Sequence, residues 1–108
     1  MLAKADLLQV PKVQCPSSVK RSIAGEAIEI HVKLSLRFPA KEAISSWVVL
    51  GDEHHNEVIS LSRVTIRTGD KYAHVRLRVV LSQPAQLVVV TASSHARGLD
   101  IVVPVTVT

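Results

Sequence analysis

The sequence predicts an all-β chain, an immunoglobulin-like Greek-key β-sandwich of about seven strands. Three observations lead there. Apolar residues alternate with polar ones over whole segments, the apolar content is dominated by Val, Leu, Ile and Ala, and clusters of Gly, Pro, Ser and Asp break the chain at short intervals. Strict alternation gives a strand one buried and one wet face. Stiff β-branched side chains pack well on a pleated surface. Short strands between turn clusters are the pattern of sandwiches and barrels.

The clearest strand is residues 26–36, where Ile28, Ile30, Val32, Leu34 and Leu36 alternate with Glu29, His31, Lys33 and Ser35. Gly25 and Pro39 punctuate it. Residues 46–51 form the next strand, ending at the turn signal Gly51-Asp52, and Trp47 within it is read as a large core side chain of the third strand. Residues 57–67 follow; their apolar parity slips between Leu61 and Val64, which predicts a bulge or a change of sheet there. Thr68-Gly69-Asp70 reads as a hairpin turn. In residues 72–81, Val75, Leu77, Val79 and Leu81 point inward while His74, Arg76 and Arg78 point out. Residues 86–92 are apolar on both parities, as in a central strand covered on both faces. Residues 100–107 close the set, with Pro104 placed at an edge or bulge because it has no N–H to donate. A leading strand within residues 7–14 completes the sandwich.

At 108 residues the chain is read as one domain spanning 1–108, either alone or as a piece of a larger protein. With 47% hydrophobic residues it builds a core without staples. A single cysteine, Cys15, excludes an internal disulfide and suits a reducing, cytoplasmic setting. Pro16 follows it and no histidine is near in sequence, so Cys15 is read as structural rather than nucleophilic. No apolar stretch approaches the roughly 20 residues of a membrane helix. Neither a nucleophile elbow nor a phosphate-cradling glycine loop is present. The reading is therefore a non-enzyme with no cofactor.

Two clusters stand out as candidate sites. If Val64 and Ile66 point inward, Arg63 and Arg67 point outward; with Arg76, Arg78 and Lys33 they form a basic face on three strands of one sheet. Such a face steers an acidic protein partner. The formal net charge of +4 permits this, and three aromatics in the whole chain leave little for stacking nucleic-acid bases. The second cluster is histidine: His54, His55 and His95 fall in loops and are the candidate metal ligands, although their spacing does not by itself make them converge.

The segments GDEHHNEVISL, RTGDKYAHVRL and TASSHARGL, in that order over roughly residues 51–99, resemble segments of the superoxide reductase (desulfoferrodoxin) family. That family would imply an immunoglobulin-like sandwich holding iron through four histidines and a thiolate. Here the thiolate position falls on Ala92 and the neighbouring asparagine position on Ser93, while His95 matches the loop histidine. GEAIEIHV and LVVVTASSHARG are similar to segments of the sulfur-oxidation carrier subunits SoxY and SoxZ. The chain ends PVTVT, without the cysteine-bearing arm of SoxY, so the likeness implies a SoxZ-like partner subunit. The primary reading is a protein-binding or assembly module; a SoxZ-like subunit or a degenerate iron domain is the alternative.

Overall fold

The computed structural model describes residues 10–21, 23, 25–54, 56–93 and 100–108. Alternation translates directly into strands: β1 (Lys12–Gln14), β2 (Ser18–Val19), β3 (Ala27–Ser35), β4 (Ile44–Asp52), β5 (Val58–Ile66), β6 (Tyr72–Val80), β7 (Ala85–Ser93) and β8 (Ile101–Val107). They form a three-stranded sheet in the order β1-β3-β6 and a five-stranded sheet in the order β2-β8-β7-β4-β5. The fold is thus the all-β, immunoglobulin-like sandwich the sequence predicts. The strand added to the expected set is β2, two residues long and paired parallel to the end of β8 through Ser18–Thr106 and Val19–Val107. A two-residue strand has no readable period.

The core lies between the sheets and is built from the inward parity of each strand. Ile30, Val32 and Leu34 of β3 and Leu77 of β6 face Val48 and Leu50 of β4, Val89 of β7 and Val105 of β8, all essentially fully buried. Burying each such side chain contributes about 1.5–3 kcal/mol. Cys15 packs against this core from the end of β1, and desolvation pushes its thiol above the usual range. A raised thiol is a poor thiolate.

Four sequence readings need correction. Trp47 is not in the core: Ser46 and Val48 take the buried parity of β4, and Trp47 lies on the outer face, 48% exposed. The parity slip after Leu61 is not a bulge. Register runs unbroken from Leu61 to Ile66, so Leu61 simply points outward; the irregularity sits at Leu50/Gly51, opposite Ser60 and Val58. The Thr68-Gly69 turn does exist, closed by the Asp70 N–H donating to Arg67 O at 2.9 Å with Gly69 at φ 89°, a conformation suited to glycine at the third position of a type II turn. It does not make a hairpin, because β5 and β6 belong to different sheets. The turn is tied across the sandwich by Gly69 N–H to Ala40 O (2.7 Å) and Ala40 N–H to Asp70 O (2.8 Å). Finally, β7 is central and its inner face is covered by the opposite sheet, but its outward parity is covered in part: Val88 is buried, whereas Val90 and Ala92 remain partly exposed.

Pro104 fits its position. The Thr106 and Thr108 amides donate outward to Ser17 O and Val19 O of the β2 segment. By alternation residue 104 faces the same side, beyond the pairing of β2, so its missing N–H costs no ladder bond.

Candidate functional site

The two sheets turn chemically opposite faces outward. On the three-stranded sheet the outward residues pair across β3 and β6 as Glu29–Arg78, His31–Arg76, Lys33–His74 and Ser35–Tyr72, with Lys12 and Gln14 of β1 alongside. Among the described strand positions of this face, Lys12, Lys33, Arg76 and Arg78 meet a single carboxylate, Glu29. It lies 4.0 Å from both His31 Nε2 and Arg76 Nη1, with all three side chains at least half exposed. Exposed pairs at that distance contribute little stability. Lys33 is held more firmly: its ammonium sits 5.0 Å from the Tyr72 ring centroid, and that ring meets His74 edge-on at 5.5 Å.

Arg63 and Arg67, expected on this same face, are elsewhere. β5 belongs to the five-stranded sheet, so Arg63 stands on that sheet's outer face and exposed Arg67 follows the end of β5. The sequence places both outward correctly but assigns β5 to the wrong sheet, because alternation fixes parity and carries no information on which sheet a strand joins.

The outer face of the five-stranded sheet is apolar in its middle, between the polar pairs Ser45–Thr65 and Gln86–Thr106. One row runs straight across four strands as Leu61–Val49–Val90–Val102. Beside it lies Arg63–Trp47–Ala92, and on the other side Val58–Gly51–Val88–Pro104. Leu61 is 55% and Val102 48% exposed. The Arg63 guanidinium lies 5.7 Å from the Trp47 ring centroid, a cation–π distance. The three rows span roughly 400 Å² of sheet by strand spacing and rise; Trp47, Val58, Leu61 and Val102 are its exposed apolar side chains, and contiguous exposed apolar residues on a monomer are commonly functional. Sequence reasoning missed this face, although the signals were present: both parities of 86–92 apolar, Leu61 out of phase, and Trp47 on the parity opposite Val48.

The histidine cluster is only partly described. His54 is exposed in the β4–β5 loop, with Nε2 3.4 Å from Glu53 Oε1. His55 and His95 lie outside the described residues. Among the described residues no three His, Cys, Asp or Glu side chains gather to hold a metal, and no helix is long and apolar enough to cross a membrane.

Comparison with solved structures agrees with the sandwich. The chain superposes on the CARDB domain of the PF1109 protein of Pyrococcus furiosus, solved in complex with di-metal ions, at TM-score 0.53 and 10% identity, covering 91% of this chain and 89% of that one. A glycosyl hydrolase family 2 member from Bacteroides cellulosilyticus gives TM-score 0.57 at 12% identity, with 93% of this chain on 14% of the enzyme. The β-glucosidase of Listeria innocua gives 0.52 at 14% identity, with 92% on 16%. At these identities the likeness is one of fold, and in both glycosidases it is confined to a small part of a long chain. No curated protein sequence matches. The family model of the Sec63 Brl domain, however, matches residues 1–106, and the chain belongs to that family.

Proposed function

We propose that this chain is a non-enzymatic protein-docking module working through the outer face of its five-stranded sheet. The single observation that carries the reading is the row Leu61–Val49–Val90–Val102 flanked by Trp47, an apolar stretch in which Leu61, Trp47 and Val102 stand about half exposed. The occupant is a different polypeptide surface, apolar at its centre and carrying a carboxylate opposite Arg63. Charge argues for that chemistry: Arg63 is the charged side chain among the outward strand positions of this face, and those positions hold no carboxylate. A second copy placed on the face would bring no acid from these strands to meet it, and a desolvated unpaired guanidinium is costly. The rim around Arg63 extends the patch toward the about 800 Å² per partner of a standard interface. Membership of the Sec63 Brl family, and the small share that similar sandwiches occupy in longer chains, suit a module that packs on a neighbour. The lone half-buried Cys15 suits a reducing cytoplasmic setting.

The test is site-specific photo-crosslinking in the native cell, with a benzophenone side chain at position 61 inside the face and at position 35 outside it. The expected result is a crosslink unique to position 61, mapping to one apolar peptide that carries an acidic residue and disappearing when Trp47→Ala is added. Crosslinks that join position 61 to the same face of a second copy, or that match those from position 35, overturn the reading.

A further inference from the structure

A second docking element lies on the opposite sheet and does not depend on the apolar face. Among the described residues strand β6 is an edge, with β3 as its one ladder partner. The phase of its hydrogen bonds follows from one contact, the Leu36 N–H donating to Lys71 O at 2.7 Å, together with the Ser35–Tyr72 register. In an antiparallel pair, hydrogen-bonded and non-hydrogen-bonded residue pairs alternate. Ala73, Val75, Leu77 and Val79 therefore bond to β3, and the N–H and C=O groups of residues 72, 74, 76, 78 and 80 point away from the sheet. Those same positions carry the outward side chains Tyr72, His74, Arg76 and Arg78, with Val80 exposed at the end of the strand. Over nine residues β6 has neither a proline nor a register break. β5, the edge strand of the other sheet, is opposite the irregularity at Leu50/Gly51.

We propose that the free edge of β6 takes up an extended acidic peptide by strand addition, with carboxylates at alternate positions meeting His74, Arg76 and Arg78. Strand addition uses main-chain bonds for affinity and alternate side chains for selection. Side chains two apart on a strand are separated by about 6.6–6.8 Å, so a peptide with acids at every second residue matches the Arg76–Arg78 spacing. Cations on an edge ordinarily guard it against pairing with another strand. That guard excludes apolar and basic strands and leaves acidic ones welcome. The surroundings reinforce the preference: Lys12 and Lys33 stand on the same face, Lys33 is fixed over Tyr72, and Glu29 alone opposes them, so most of the chain's net +4 is gathered here. A protein segment is favoured over a nucleic-acid strand because Tyr72 is the lone tyrosine, phenylalanine or tryptophan on this face, too little for a succession of stacked bases.

The experiment is fluorescence anisotropy with synthetic nine-residue peptides of valine, threonine and glutamate against the whole chain. A peptide with glutamate at every second position should bind; an isomer of the same composition with its glutamates consecutive should bind at least tenfold more weakly. N-methylation of the amides that face β6 should abolish binding, and Arg76→Glu/Arg78→Glu should weaken it at least tenfold while leaving the circular dichroism spectrum and Tm in place. Equal binding of the two isomers, or indifference to N-methylation, overturns strand addition. Tighter binding of a nine-nucleotide oligothymidylate overturns the peptide assignment. Because this readout uses β6 and the crosslinking readout uses Leu61, either can fail without the other.

Discussion

The two sheets share one core and differ in what they show to the outside. On the three-stranded sheet the strands follow the half-buried pattern, apolar inward and mostly polar or charged outward, with Tyr72 and Val80 the large exposed exceptions. On the five-stranded sheet the inward parity is just as apolar, but the middle of β4, β7 and β8 is apolar on the outward parity as well, with Ser45, Gln86 and Thr106 at its margins. Strand propensity alone does not require Val49, Val90 and Val102 on the outward side, since threonine suits a strand as well and is better hydrated. The difference teaches that the core alone does not explain the composition: part of the 47% hydrophobic content is spent on a surface. It also separates two kinds of recognition, one driven by removal of apolar area from water and one by charge and main-chain pairing.

The largest expected effect belongs to what the faces share. Leu77 is fully buried on β6 between outward Arg76 and Arg78. Leu77→Ala should cost about 2–5 kcal/mol, read as a shift in the midpoint of urea unfolding, and should weaken both docking activities together. If it left stability unchanged, the inward parity of β6 would be misassigned, and with it the outward assignment of its arginines.

Breaking one face alone is the next test. Leu61→Asp places a carboxylate in the centre of the apolar row without touching the core. Stability should change by at most about 0.5 kcal/mol, as for a surface substitution. Docking on that face should lose about 2 kcal/mol or more, the scale of an interface hot spot, while the alternating acidic peptide binds as before. A stability loss on the core scale would mean that Leu61 is packed rather than presented.

How much of this difference could be read in the sequence depends on the kind of signal. Parity is legible wherever a segment alternates strictly, so the inward and outward sides of Ile28 through Leu36 and Val75 through Leu81 follow from the sequence and agree with their burial. Sheet membership is not. Arg63 and Arg67 were grouped with Arg76 and Arg78 because a turn as short as Thr68-Gly69 usually makes a hairpin, whereas here it carries the chain across the sandwich. Trp47 was assigned inward from its size, although the parity of Val48 and Leu50 already pointed the other way. Residues 86–92 read as covered on both faces, which is what their apolarity asks for; outward Val88 is buried but Val90 and Ala92 are covered only in part, and that shortfall is the reason to look for a partner. β2 was not legible, since its place rests on backbone bonds to β8 that leave no side-chain pattern.

Salt sharpens the contrast with a smaller effect. Charge pairing between exposed groups is screened over about 8–10 Å at physiological ionic strength, and burial of apolar area is not weakened by simple salts in the same way. Raising sodium chloride from about 0.05 to about 0.5 M should weaken the acidic peptide at β6 several-fold and leave crosslinking yield from position 61 nearly constant. Equal salt sensitivity of both readouts would mean that a single electrostatic surface serves both, contrary to the division between the sheets.

The smallest effect lies at the rim of the apolar face. Gly51 ends its β4 row close under the Glu57 carbonyl, where a Cβ would come within 3.0 Å of that oxygen. The loop that follows is closed by the Glu57 N–H donating to Asp52 Oδ1 at 2.7 Å and the Asp52 N–H donating to Glu57 O at 3.3 Å. The bond from Glu57, helped by the backbone amides of Asn56 and His54, holds the Asp52 carboxyl below the usual carboxylate range. A folded-state value below the unfolded one adds stability above the unfolded pKa, about 3.9, and that stability is lost as pH falls through the folded value. Asp52→Ala should therefore lower Tm slightly at neutral pH, and the two Tm curves should converge as the pH is taken down toward 2, with peptide affinity at β6 unchanged throughout. A gap in Tm that stays constant from neutral to acid pH would mean that the loop depends on the shape of residue 52 and not on its charge.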